Sequence, residues 1–132
     1  MARRVAILGA AGIVVGGIIL VLLIVAGRAV YSRAAFGTWD PRELPARISY
    51  CDRRYLPGSH LTRSRIDAEG NDLGTFPVRQ IGATLDGKAI FAKPLPDNVR
   101  HKYGNPPLPC AMSVYLKVRD DDYGAYSLSG GP

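Results

Sequence analysis

One uninterrupted apolar segment dominates the hydrophobic pattern of the chain. It covers residues 5–27, is flanked by Arg4 and Arg28, and contains no charged, amide or hydroxyl side chain. A helix of this length extends about 35 Å, which is enough to cross a hydrocarbon core of about 30 Å. Because a lone segment in lipid satisfies its backbone polar groups only as a helix, the pattern predicts a single N-terminal transmembrane helix.

Two other interpretations of this segment fit less well. A dinucleotide-binding turn needs G-x-G-x-x-G and a later acidic residue, but the glycines stand at Gly9, Gly12, Gly16 and Gly17, and the first acidic residue is Asp40. A cleaved signal sequence usually has an apolar region of about 7–15 residues followed by a small-x-small site, and this segment is longer and lacks a good site. An uncleaved anchor is therefore favoured, with cleavage as the alternative.

The apolar segment has one face of small residues. Gly12 and Gly16 form a G-x-x-x-G motif, and Ala6 and Gly9 extend it toward the N-terminus. Small residues allow a second helix to approach closely, so we expect Gly9, Gly12 and Gly16 to pack against a transmembrane partner. The partner is either a second copy of this chain or a different protein. The alternative is that this face contacts only lipid.

After the apolar segment, the pattern changes to short stretches with a period of two. We assign residues 1–4 to a cytoplasmic N-terminus, 28–46 to a juxtamembrane linker and 47–132 to a β-rich domain. The helix can continue a turn or two past Arg28, and Tyr31, Phe36 and Trp39 are suited to the lipid headgroup region. The expected fold is a transmembrane helix plus a small, mainly β (α+β) extracytoplasmic domain with antiparallel hairpins.

Alternation and turn residues predict the elements of this domain. Strict alternation over residues 112–119 predicts a strand in a half-exposed sheet, with Val114 and Leu116 on the apolar face and Tyr115 and Lys117 on the exposed face. Asp86-Gly87 predicts a two-residue type I′ hairpin, and Pro57-Gly58 predicts a turn. A short helix is expected over residues 98–103, capped by Asp97 and ended by Gly104. The remaining predicted strands are residues 47–51, 60–66, 75–84, 90–92 and 123–128.

Charge excludes one class of partner. The chain carries 17 Lys and Arg against 11 Asp and Glu, a net charge of +6. Four of the arginines flank the apolar segment, which leaves 13 basic against 11 acidic residues in the rest of the chain. The domain therefore lacks the strong positive charge typical of nucleic-acid binding.

Two cysteines indicate the compartment. Cys51 and Cys110 fit no zinc-ligand spacing, and a pair of cysteines in a small domain beyond an anchor is typical of a disulfide. Such a bond persists in an oxidising compartment, so the domain is expected outside the cytoplasm and the protein in the plasma membrane. If both thiols were instead free in a cytoplasmic domain, the topology would be reversed.

The sequence offers few residues for chemistry. Asp120, Asp121 and Asp122 lack the remaining ligands of a calcium loop, and His60 and His101 are far apart, so we expect no catalytic site, metal or cofactor. A possible site for an anionic surface consists of Arg53, Arg54, Arg63 and Arg65. The alternative is a solvated basic face balanced by nearby carboxylates.

These patterns favour a protein without enzymatic activity. The small size and the glycine face suggest an accessory or structural subunit of a membrane protein complex. The Ala, Gly and Arg bias suggests a bacterial source. The alternative is a self-standing, membrane-anchored binding module for an envelope ligand or anionic lipid. The two differ in whether the domain alone binds anything.

Overall fold

A long helix precedes a small domain of six strands and two short helices. The computed structural model describes residues 2–70 and 73–129, with side chains described from residue 12 onward. The helices are α1 (Ala2–Phe36), α2 (Arg63–Ala68) and α3 (Asp97–Tyr103). The strands are β1 (Ile48–Tyr50), β2 (Arg53–Leu61), β3 (Arg79–Ala83), β4 (Ala89–Ala92), β5 (Ser113–Arg119) and β6 (Asp122–Leu128).

All six strands join one antiparallel sheet that curls into a half-barrel. The strand order is β1-β2-β6-β5-β4-β3. The hairpins β1–β2, β3–β4 and β5–β6 are joined through β2–β6 and β4–β5 pairing. The prediction of a small β domain with antiparallel hairpins is confirmed, and strands 112–119 and 123–128 match β5 and β6 within one residue.

The main core fills the concave side of the half-barrel. Its members come from every strand but β3, and Ile81 of β3 packs at its margin together with Phe36 from the end of α1. Because inward positions alternate along each strand, apolar side chains from all six strands meet there. The buried cluster comprises Ile48, Tyr55, Ile90, Ala92, Ala111, Val114, Leu116 and Tyr126.

A second, smaller core covers the other face of the sheet, which the sequence pattern had left exposed. Ile66 of α2 packs with Tyr115 of β5 and Tyr123 of β6, and these side chains are 1%, 3% and 5% exposed. The prediction that Tyr115 lies on an exposed face is therefore wrong. Helix α2 shields it, so the centre of the sheet is buried on both sides.

Two local predictions around β2 are wrong. Pro57-Gly58 does not turn the chain; it lies inside β2, where the pairing with β6 shifts register between Pro57 and His60. A bulge of this kind accommodates the missing N–H of proline within a strand. The expected strand 60–66 ends at Leu61, after which Thr62 caps α2 by accepting a hydrogen bond from the backbone N–H of Arg65.

The predicted two-residue turn is found in a different hairpin from the one that the sequence indicated. Asp86-Gly87 does join β3 to β4, but of these two residues only Gly87 has a positive φ, 88°, so the turn is not type I′. Its N–H donates to the carbonyl of Thr84 at 3.0 Å, as in a three-residue hairpin loop. The two-residue turn with positive φ at both positions lies instead at Cys51 (47°) and Asp52 (59°), between β1 and β2.

The short helix near residue 100 is confirmed with a different start. Helix α3 begins at Asp97, which lies in its first turn, and Pro96 occupies the N-cap without a side-chain capping bond. The prediction that Asp97 is the cap is therefore wrong. Gly104 ends the helix as expected.

Candidate functional site

The largest exposed apolar surface among the described side chains lies on α1, from residue 12 to residue 27. Every described side chain from residue 12 to residue 27 is exposed, and the large apolar ones are 52–78% exposed. Among the described residues, one helix, over Gly12–Phe36, is long and apolar enough to cross a membrane, and its most apolar 18-residue window has a mean hydropathy of 2.7. A surface of this kind requires a cover of lipid or protein.

The last turns of α1, by contrast, are built into the domain. Ser32 is 1% exposed, and Phe36 packs against the main core. The helix continues to Phe36, as the sequence allowed, and ends at Gly37. Gly37 has a φ of 77° and donates its N–H to the carbonyl of Arg33 at 3.1 Å, which is the αL form of helix cap.

Arg47 connects this helix end to the first strand. Its guanidinium donates to the carbonyl oxygens of Ala34 at 2.7 Å and Arg33 at 3.2 Å, and its backbone N–H donates to that of Phe36 at 3.1 Å. These bonds satisfy carbonyls that a helix end leaves unpaired and place a positive charge at the negative end of the helix dipole. The helix, its cap and the entry to β1 therefore form one continuous hydrogen-bonded unit.

The β3–β4 hairpin reaches back to the same helix. The Arg28 guanidinium lies 3.4 Å from the carbonyl oxygen of Leu85 at the hairpin tip. In the tip, burial alone would raise the pKa of the Asp86 carboxyl, but hydrogen bonds from Lys88 and Thr84 outweigh burial and hold that pKa below its usual value. The apolar segment ends at Arg28, and the β3–β4 hairpin of the domain contacts this same residue. The domain therefore lies directly beside the end of the apolar segment, with no flexible spacer between the two.

The glycine face of α1 is open. Apart from the neighbouring residues and the helix's own nearby backbone, no described atom lies within 4 Å of the Cβ position at Gly12 or Gly16. Gly9 lies among residues 2–11, for which the structure describes the helical backbone but not the surroundings of the side chains. The structure thus leaves room for a second helix at Gly12 and Gly16, and helix packing there stays a prediction.

The two cysteines form the predicted disulfide. Cys51 and Cys110 are bonded, with Cα atoms 6.1 Å apart. Cys51 sits in the β1–β2 turn, and the carbonyl of Cys110 accepts a hydrogen bond from Leu95 at 2.7 Å. The bond therefore joins the edge hairpin to the segment that enters the central strand β5.

The four arginines of the predicted anionic-surface site are split into two pairs. Arg53 and Arg54 begin β2, whereas Arg63 and Arg65 lie on α2, beyond the other end of that strand. Arg63 stacks on Phe91 at 5.5 Å from the ring centre and pairs with Asp67 at 3.1 Å. The structure therefore does not assemble the four into one patch, and anion binding by either pair stays a prediction.

The acidic turn after β5 is tied to its surroundings. Asp121 accepts a hydrogen bond from the backbone N–H of Arg63 at 2.8 Å, and Asp122 pairs with His60 at 2.6 Å. His101 lies elsewhere, on α3, with its Nδ1 2.8 Å from the carbonyl of Asp97. Among the described residues, no group of three or more His, Cys, Asp or Glu side chains is placed to hold a metal ion.

A small cavity lined by both polar and apolar side chains was not anticipated from the sequence. It has a volume of about 90 Å³ and is lined in part by Glu69, Lys93, Ser113 and Tyr115. The Tyr115 hydroxyl donates to the Glu69 carboxylate at 2.8 Å, and burial together with that carboxylate raises the pKa of Tyr115. Alternation assigned Tyr115 to a solvent-facing row, so no signal pointed to this pair.

A comparison with protein-family models, curated proteins and solved structures gives no match to this chain. Its function must therefore be inferred from its own residues. The most informative feature is the junction at which an exposed apolar helix is fixed to a folded domain through Arg28, Phe36 and Arg47.

Proposed function

We propose that this protein is a non-enzymatic, single-pass membrane protein that serves as an accessory or structural subunit of a bacterial membrane protein complex. In this proposal α1 crosses the plasma membrane with its N-terminus in the cytoplasm. The β domain lies on the outer face, where an oxidising environment maintains the Cys51–Cys110 bond.

The observation that carries the proposal is the direct coupling of the helix to the domain. Phe36 packs against the main core, and the Arg47 guanidinium donates hydrogen bonds to carbonyls of the last helical turn. A partner helix that binds α1 would therefore also determine where the β domain sits above the membrane. A tethered module that searches for ligands gains more from a flexible linker, and the chain has no such linker between Arg28 and β1.

The open glycine face supplies a plausible means of docking. Gly12 and Gly16 lie about one helical turn apart, and no described atom beyond their own helix backbone and chain neighbours lies within 4 Å of either Cβ position. Close approach of a second helix there would replace lipid contacts by van der Waals contacts between helices.

Substitutions on two faces of α1 test the proposal. The variant Gly12→Leu/Gly16→Leu fills the glycine face. The control variant Ala10→Leu/Gly17→Leu makes the same kind of change on a face about 130° away, at 3.6 residues per turn. Each tagged full-length variant is extracted from its native membrane in mild detergent, and co-purifying proteins are quantified by mass spectrometry. We expect the first variant to lose its partner and the control to retain it; equal retention would refute docking by this face.

A further inference from the structure

A groove lies at the base of the domain, at the level where the apolar part of α1 ends. It has a volume of about 600 Å³. Helix α1 supplies one wall, the turn at residues 39–42 a second, and the β3–β4 hairpin tip a third. It is lined by Val25, Arg28 and Ala29 of α1, by the turn at residues 39–42, which includes Trp39, Asp40 and Arg42, and by Asp86 of the hairpin tip.

The groove combines an apolar end with an end that carries charged side chains of both signs. Val25 belongs to the apolar segment, while Arg28 and Arg42 are both exposed arginines that line the same space. The carboxylates nearby are already engaged: Asp86 pairs with Lys88, and Asp40 accepts a hydrogen bond from the backbone N–H of Arg42 at 2.9 Å. The lining itself holds two arginines and two carboxylates. Lys88, which pairs with Asp86 and lies 3.5 Å from the carbonyl oxygen of Arg42, adds a third cation, so the groove and its rim have a net charge of +1 and favour an anion.

The walls are held in place by the protein itself. Residues 40–43 form a turn closed by the hydrogen bond from Glu43 N–H to the Asp40 carbonyl at 3.2 Å. The Arg33 guanidinium lies 5.7 Å from the centre of the Trp39 ring, which is 62% exposed. Tryptophan with an exposed, cation-backed ring is typical of the boundary between headgroups and hydrocarbon.

We propose that this groove binds one anionic phospholipid. The phosphate accepts hydrogen bonds from the guanidinium groups of Arg28 and Arg42, whose planar donors match phosphate oxygens. An acyl chain runs along Val25 and Ala29 into the hydrocarbon, and Trp39 borders the headgroup. The inference rests on the proposed membrane insertion of α1, and it concerns a different site from the arginines of β2 and α2.

Lipid retention by the purified full-length protein tests the groove. The protein is prepared in mild detergent, incubated with phosphatidylglycerol or phosphatidylcholine, and examined by native mass spectrometry. We expect one phosphatidylglycerol per chain, bound at least about tenfold more tightly than phosphatidylcholine, because charge-assisted hydrogen bonds to two arginines favour the anionic lipid. Equal retention of the two lipids would overturn the proposal.

Charge-matched variants locate the bound lipid. Arg28→Gln/Arg42→Gln removes the two groove cations, whereas Arg79→Gln/Arg119→Gln removes two exposed cations outside the groove. We expect the groove variant to reduce phosphatidylglycerol retention about tenfold or more and the control to leave it unchanged. An equal loss in both variants would indicate general charge attraction and overturn the groove site. A carbonate wash of membranes tests insertion of α1 separately, so failure of the groove and failure of the proposed anchoring are distinguishable.

Discussion

The guanidinium of Arg47 lies 2.7 Å from the carbonyl oxygen of Ala34, across the gap between the first strand and the last turn of α1. The two residues are 13 positions apart in the chain. This contact and the packing of Phe36 against the main core attach the end of the helix to the domain. The stability of this junction can be tested at each of its components.

Arg47→Gln should destabilise the junction. The substitution removes hydrogen bonds to two helix-terminal carbonyls and the favourable charge at the helix end, so we expect the free energy of unfolding to fall by about 1–3 kcal/mol. Urea denaturation of the full-length protein in detergent, followed by circular dichroism, measures the change. Arg79→Gln on the exposed edge strand is the control, and equal midpoints for the two variants would contradict the capping role of Arg47.

Phe36→Ala should loosen the attachment of α1 from its apolar side. Phe36 is partly buried against the main core, so we expect a loss of about 2 kcal/mol, below the 3–5 kcal/mol typical of a fully buried phenylalanine. Tyr103→Ala removes a ring that is 55% exposed and should change the stability little. Thermal unfolding of both variants gives the comparison. A Phe36 variant no less stable than the Tyr103 variant would show that the ring does not anchor the helix.

Loss of the disulfide should cost more than either junction variant. The bond closes a loop with a sequence separation of 59, which corresponds to about 4 kcal/mol in the chain-entropy description. Cys51→Ser/Cys110→Ser and the reduced wild-type protein should therefore show the same lowered denaturation midpoint. If reduction left the midpoint of the wild-type protein unchanged, the bond would have no stabilising role.

Alkaline pH should unfold the domain through its buried tyrosines. Burial is the main cause that raises the pKa of Tyr55, Tyr115 and Tyr126, and the Glu69 carboxylate adds to the effect at Tyr115. A folded-state pKa above that of the unfolded chain leaves stability intact below about pH 10 and reduces it as the pH rises further. Each tyrosine that stays protonated only in the folded state contributes a slope of about 1.4 kcal/mol per pH unit.

Tyr115→Phe provides the check on this pH dependence. The variant should have a shallower loss of stability above pH 10, by the contribution of one proton, when unfolding is followed by denaturant titration at successive pH values. A parallel absorbance titration of tyrosinate identifies the groups that ionise. An unchanged slope in the variant would show that Tyr115 ionises equally in the folded and unfolded states.

The sequence predicted those features that depend on composition and simple periodicity. The uninterrupted apolar run predicted the helix, and alternation predicted β5 and the return strand β6. The single pair of cysteines predicted the disulfide. The errors arose where tertiary contacts override local preference. Pro57 is accommodated within β2 by a shift in register, and the two-residue turn falls at Cys51-Asp52, although that pair lacks the usual glycine.

The candidate site was harder to predict because its parts are distant in sequence. Arg28 meets Leu85 across 57 positions, and Tyr115 meets Glu69 across 46. Nothing near Arg28 in the sequence indicates that a hairpin tip returns to it. The two-sided burial of β5 depends on α2, a helix of six residues that is too short to give a clear period.

We propose that this chain is a subunit of a membrane complex and that its helix and domain dock there together. The most direct test is extraction of the tagged wild-type protein from its native membrane in mild detergent. Size determination and mass spectrometry then identify what remains bound. We expect a stoichiometric transmembrane partner in the purified material. Recovery of the chain alone, as a monomer or homodimer, would contradict this proposal and favour a self-standing anchored binding module.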